Sequence, residues 1–136
     1  MDEIAAQILE ALRRLTAEGG HGAFCIVSGS DGERYVQFTL DPDALPGGPV
    51  ELYCEVASGL YQDPPVRILS TEQAAIFGFL DPDDPEAPGE TQNYWRYVAI
   101  ASDGDLRALA GWAAELGRTL LGWDPDRLRI ERDPGG

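Results

Sequence analysis

The chain has 136 residues, 43% of them hydrophobic, which suffices for one domain with its own core. Its 24 acidic side chains against 10 arginines, with no lysine, give a net charge of −14. That charge opposes the phosphates of nucleic acid and anionic lipid surfaces, so no nucleic acid and no membrane is expected as a partner.

Asp2 to about Glu18 reads as an amphipathic helix, with Ile4, Ile8, Leu12 and Leu15 on one stripe widened by Ala5 and Leu9. Asp2 and Glu3 suit its positive end and Arg13 and Arg14 its negative end. Gly19-Gly20 is expected to end it through a left-handed glycine. His21 lies in the link that follows and is expected to be exposed and inert. Ala23–Val27 and Arg34–Leu40 read as two strands joined across Ser28-Gly29-Ser30-Asp31-Gly32, where Asp-Gly predicts a tight hairpin with positive φ. Phe24 and Ile26 face one side of the first strand and Cys25 and Val27 the other, a pattern that suits a central strand. In the second, Val36, Phe38 and Leu40 alternate with Tyr35, Gln37 and Thr39. Val50–Val56 repeats this, with Leu52, Cys54 and Val56 inward and Glu51, Tyr53 and Glu55 outward. These runs predict a three-stranded antiparallel meander.

Asp41–Pro49 and Ala57–Pro65 are rich in breakers and read as loops, with Leu60 and Tyr61 packing down on the domain. Val66–Leu69 reads as a brief extended piece. Ser70 and Gln73 form a capping box for a short helix from Thr71 to about Leu80, whose apolar side is Ile76, Phe77 and Leu80. Asp81–Gln92 carries three prolines and five acidic residues and is expected to be a mobile, solvated loop. Asn93–Ala101 reads as a strong strand, with Trp95 and Tyr97 together on its core side. Ser102 or Asp103 caps a last helix to about Leu121, striped by Leu106, Leu109, Ala113, Leu116 and Leu120. Small residues at Ala110, Ala113, Ala114 and Gly117 predict a close neighbour there, the sheet. Gly122 stops this helix. Leu128–Glu131 reads as a final extended segment and Asp133–Gly136 as frayed. The order αβββαβα, with antiparallel strands and helices on one face, predicts an α+β two-layer sandwich. One domain is expected over residues 1–122, with 123–136 as a C-terminal extension.

No catalytic constellation appears. The single histidine leaves no metal-ligand spacing, and Cys25 and Cys54 form no CxxC pair. The absence of lysine removes Schiff-base chemistry and lysine phosphate clamps, and no G-x-S-x-G or phosphate loop is present. No enzyme, cofactor or metal is therefore expected. The thiols should be buried; a disulfide would require their strands to be neighbours. The chain opens Met1-Asp2-Glu3, without the basic start and apolar run of an export signal, so a cytoplasmic protein is expected. What remains is surface. Tyr35, Gln37, Tyr53 and Glu55 share the sheet face away from the helices, and Trp112 falls off the stripe of the last helix. These five are the candidate partner-binding residues, since tyrosine and tryptophan are enriched at interface hot spots.

Glu55-Val56-Ala57-Ser58, Leu69-Ser70-Thr71-Glu72-Gln73, Phe77-Gly78-Phe79 and Asn93-Tyr94-Trp95-Arg96 together resemble the TY-Chap domain, the superfamily that joins type III secretion chaperones and YbjN-like proteins. The resemblance spans the first strand to about Gly122. It implies a secretion chaperone-like fold and a chaperone-like function: binding an extended segment of a client protein, with a homodimer as the common assembly. Two alternatives stand beside it. One is a small-molecule-binding domain with a pocket near Phe77 and Trp95; the other is an acidic adaptor or immunity-like protein that neutralises a basic partner.

Overall fold

The structure is a computed structural model that describes residues 2–20, 22–41, 50–59, 67–83 and 93–135. His21, most of the loops expected at Asp41–Pro49 and Ala57–Pro65, the packing of Leu60 and Tyr61, and most of Asp81–Gln92 lie outside the described residues.

The elements run α1 (Glu3–Glu18), β1 (Phe24–Ser28), β2 (Tyr35–Leu40), β3 (Val50–Val56), α2 (Thr71–Ile76), β4 (Tyr94–Ile100), α3 (Asp103–Leu120), a 3₁₀ turn (Pro125–Arg127) and β5 (Arg129–Asp133). The fold is α+β: a five-stranded sheet in the order β4-β3-β2-β1-β5, antiparallel throughout, with helices on one face. The expected meander is its centre. β5 completes it beside β1, so Asp133 belongs to a strand, and the Pro134 carbonyl accepts from the Gly20 N–H at 2.8 Å rather than fraying. Of the brief extended piece expected at Val66–Leu69, Val66 lies outside the described residues, and Ile68 and Leu69 form bends, the Ile68 N–H donating to the Ser58 carbonyl at 2.8 Å.

Register decides which side chains meet the helices. Cys54, Phe38 and Cys25 sit directly opposite one another on β3, β2 and β1, flanked by Arg96 on β4 and Arg132 on β5. Leu52, Val56, Val36 and Val27 lie on the same side, fully buried with Ile4, Ile8 and Leu12 of α1 and Leu116 of α3. Phe38 therefore stands between the two cysteines, which are free thiols because β2 separates their strands.

Local signals set the helix ends. Asp2 caps α1, accepting from the Ala5 N–H at 3.1 Å. Ser70 with Gln73 and Ser102 with Asp105 form reciprocal capping boxes at α2 and α3. α2 is shorter than its apolar spacing predicts. Gly78 takes a φ of +80° just beyond it and turns the chain, so Ile76 points outward at 81% exposure and only Ala74 of this helix is buried. Gly19 ends α1 in an extended conformation (φ −69°), not a left-handed one. Glycine is needed there for room: a methyl would lie 2.8 Å from Leu40 Cδ1 and 2.9 Å from Ala23 Cβ. The β1–β2 link also lacks a left-handed residue. Asp31 organises it instead, accepting from the Glu33 N–H through Oδ1 (2.9 Å) and from the Arg34 N–H through its carbonyl (3.2 Å).

α1 and α3 pack against each other, antiparallel, with an ion pair near each end. Asp2 meets Arg118 at 2.6 Å, and Arg13 grips Asp103 with two hydrogen bonds of 2.9 and 2.8 Å. Arg13 thus serves the neighbouring helix rather than the end of its own. Close packing at the small residues of α3 comes partly from beyond the sheet. The Trp123 indole lies on Gly117, where a methyl would overlap it, and its Nε1–H donates to the Arg34 carbonyl at 3.0 Å. Gly122, at φ +68°, reverses the chain to bring it there. Among the described residues no helix is long and apolar enough to cross a membrane.

Two predictions follow from this packing. Gly111 meets nothing within 4 Å, so Gly111→Ala should raise the unfolding free energy by up to about 1 kcal/mol, the usual gain of alanine over glycine in a helix. Gly117→Ala should lower it by about 1–3 kcal/mol, because overpacking against Trp123 outweighs that gain. Urea titrations of both variants check the pair; a gain in both would mean the indole is not seated on Gly117. The second concerns acid. Hydrogen bonds from Arg13, then Arg107, hold Asp103 down from the ordinary 3.8 to about 2. Its stabilisation is complete above the ordinary value and lost as pH falls through about 2. Urea midpoints measured from pH 5 down to pH 2 should therefore drop less for Asp103→Asn than for the wild type; equal drops would deny the pair a role.

Candidate functional site

The face turned from the helices is built by the same alternation that seals the core. Trp95, Glu55, Gln37 and Ile26 stand opposite one another across β4, β3, β2 and β1, and Tyr97, Tyr53, Thr39 and Phe24 form the adjacent row. Four candidate residues, Tyr35, Gln37, Tyr53 and Glu55, are thus on this face together, each half-buried.

Tyr97 links the aromatic groups at the β4 end. Its ring centroid is 5.2 Å from Tyr53, tilted by 43°, and 6.1 Å from Trp95, edge to face at 78°. Such pairs contribute about 0.5–1.5 kcal/mol beyond burial, enough to hold the rings as one array. Tyr97 is 42% exposed whereas Trp95 is 4% exposed. Trp95 is covered because Leu80 pairs with it along the outer edge of β4, and its Nε1–H donates to the Asp81 carbonyl at 3.1 Å. The expectation that Trp95 and Tyr97 face the core is corrected: both belong to the open face, and Trp95 is buried there by Leu80 and its neighbours, not by the helices.

Tyr35 is positioned at the start of β2, the middle strand. Its hydroxyl accepts from Asn93 Nδ2 at 2.8 Å, and Asn93, only 3% exposed, accepts from the Ser58 N–H at 3.2 Å. This joins the end of β3, the start of β4 and β2. Gln37 donates to Thr39 at 3.3 Å along its own strand. A polar residue ahead of an apolar strand was the only sign of Asn93 in the sequence.

Trp112 does not join these residues. It lies in the helix layer, on the other side of the sheet, its ring 5.2 Å from Phe79 and 6.1 Å from Phe77 with the Arg96 guanidinium 5.0 Å from its centroid. Arg96 also donates to the Phe77 carbonyl at 2.9 Å, and a methyl on Gly78 would lie 2.6 Å from its Nη1. Phe77-Gly78-Phe79 and the arginine of Asn93-Tyr94-Trp95-Arg96 are therefore parts of one assembly that closes the β4 margin. Among the described residues Phe77 and Trp95 do not line a common pocket, because their rings lie on opposite sides of the sheet. Cavities of about 220, 440, 460 and 440 Å³ lie elsewhere, the smallest between the end of α1, Phe24 and Arg132.

Burial pushes the thiols of Cys25 and Cys54 up to about 12, so neither is a nucleophile at neutral pH. Among the described residues no group of three His, Cys, Asp or Glu could hold a metal ion. Compared with family models, curated proteins and solved structures, the chain matches none.

Proposed function

We propose that the protein is a non-enzymatic, chaperone-like binding domain of the cytoplasm that holds an extended segment of a client protein on the open face of its sheet. The observation that carries this reading is the array of part-exposed Tyr97 and Tyr53, braced by buried Trp95, beside Tyr35, Gln37 and Glu55 on one pleated surface. Rigid aromatic rings with polar tips bind a chain at little entropic cost. The client's chemistry follows from charge. Glu51 and Glu55 lie on this face of a protein with net charge −14, so the favoured segment carries arginine or lysine among apolar residues. The TY-Chap-like motifs support the same reading, and they concentrate around β3, α2 and β4, the elements that frame the array. The high net charge also favours the acidic-adaptor reading, in which salt-sensitive attraction dominates and the rings contribute little.

Selection from a random peptide library by the purified protein separates the two. The client reading predicts enriched peptides that combine basic with aromatic or branched apolar residues. It predicts that Tyr53→Ala or Tyr97→Ala weakens their binding by roughly thirtyfold, a loss of about 2 kcal/mol. Trp112→Ala should leave it unchanged. Binding that survives both tyrosine changes and vanishes at high salt would transfer the case to the adaptor. Failure to enrich any peptide would reject this face as a client site.

A further inference from the structure

On the open face, the row of Tyr97, Tyr53, Thr39 and Phe24 continues to Asp133 on β5, so it crosses every strand of the sheet. Rings stand on both sides of a polar gap. Tyr97 and Tyr53 occupy β4 and β3, their centroids 5.2 Å apart. Phe24 occupies β1, half-buried, with half-buried Ile26 beside it. Between them β2 presents Thr39 and Gln37. Phe24 and Tyr53 both stand opposite Thr39, so they are two strand spacings apart, about 9.6 Å.

That interval selects a backbone for the occupant. Same-face side chains of a β-strand are about 6.6 Å apart, which matches neither one strand spacing nor two. A polyproline II helix turns once in three residues and rises about 3.1 Å per residue, so its residues i and i+3 share a face about 9.3 Å apart. The gap suits the same backbone. Thr39 accepts from Gln37 Nε2 at 3.3 Å, and its own hydroxyl proton has no acceptor among the described residues. A polyproline II segment makes no internal hydrogen bonds, so a carbonyl between its two anchors can take that proton. Charge adds a direction. Asp133 closes the row beyond Phe24, exposed and in no ion pair among the described residues. Resting on the client reading above, we infer that the client segment crosses the strands along this row as a polyproline II helix. Its apolar residues at i and i+3 meet the Tyr53–Tyr97 pair and Phe24, and an arginine or lysine beyond Phe24 meets Asp133. Phe24 and Thr39 therefore determine specificity. Proline fixes φ in advance, so such a segment loses little entropy on binding an aromatic surface.

Fluorescence anisotropy with labelled synthetic peptides tests the path. One peptide carries prolines at i and i+3 with an arginine beyond the second. Another keeps that composition but sets the prolines one residue further apart, and a third replaces the arginine with glutamate. The first should bind the wild type roughly tenfold more tightly than either of the others. Phe24→Ala should weaken the first peptide roughly tenfold and remove its advantage over the second. Thr39→Val keeps the shape of the strand and should weaken it several-fold through the lost hydroxyl. The peptide comparisons need no variant, so they stand even where a substitution unfolds the protein. Equal affinity for the two spacings, a preference for alternate-residue or helical spacing, indifference to the glutamate, or binding untouched by both Phe24→Ala and Thr39→Val would each overturn the inference. If Tyr53→Ala still weakens peptides selected from the random library, only the path is lost and the client reading stands. If no peptide binds at all, both fall.

Discussion

Phe38 fixes what the rest of the molecule is free to do. It occupies the centre of the middle strand, fully buried, with a cysteine on each side and the helices above. Replacing such a ring with alanine costs about 3–5 kcal/mol, against a whole-domain stability of about 5–15 kcal/mol. With that side chain committed inward, strand alternation assigns every neighbour. Leu52, Val56, Val36 and Val27 must go under the helices, and Tyr53, Glu55, Tyr35 and Gln37 must go to the opposite face. The candidate binding surface is the complement of the core, produced by the same constraint.

The arginines show how a lysine-free, acidic chain uses its few cations. Arg13 and Arg118 tie α1 to α3 near both ends, each to an exposed aspartate, so the pairs orient the helices more than they stabilise them. Arg96 does something different. It extends from the core side of β4 to the margin of the helix layer, where a carbonyl and the Trp112 face receive its charge and Gly78 leaves it space. A guanidinium on the buried side of an edge strand would be unfavourable without these partners.

That arginine also explains why part of the site was hidden in the sequence. In Asn93–Ala101 the aromatic residues Trp95 and Tyr97 alternate with Tyr94, Arg96, Val98 and Ile100, and a charged residue in the second set makes the first set look like the core. The assignment reverses once Phe77, Gly78 and Trp112 are seen to accommodate Arg96, and these lie 16 or more residues away in sequence. β2 and β3 were legible because their alternation carries no such exception. The capping boxes at Ser70 and Ser102 were legible because they are local. The end of α2 was not: Ile76, Phe77 and Leu80 have helical spacing, but Gly78 adopts positive φ and breaks the helix between them. β5 was read only as an extended segment, since pairing with a strand about a hundred residues earlier leaves no local mark. Asp31 and Gly19 show that a turn or a helix end can be located correctly and attributed to the wrong cause.

The central claim is that one face of the sheet is sealed by helices and the other is not. The two thiols test it most directly, since both lie on the sealed face and burial holds their pKa near 12. Reaction with a chromogenic disulfide reagent in native buffer should proceed no faster than unfolding, with two thiols per chain released promptly in denaturant. Prompt labelling of either cysteine in the native protein would contradict the account, because it would place that side chain, and with it Phe38, on an open surface.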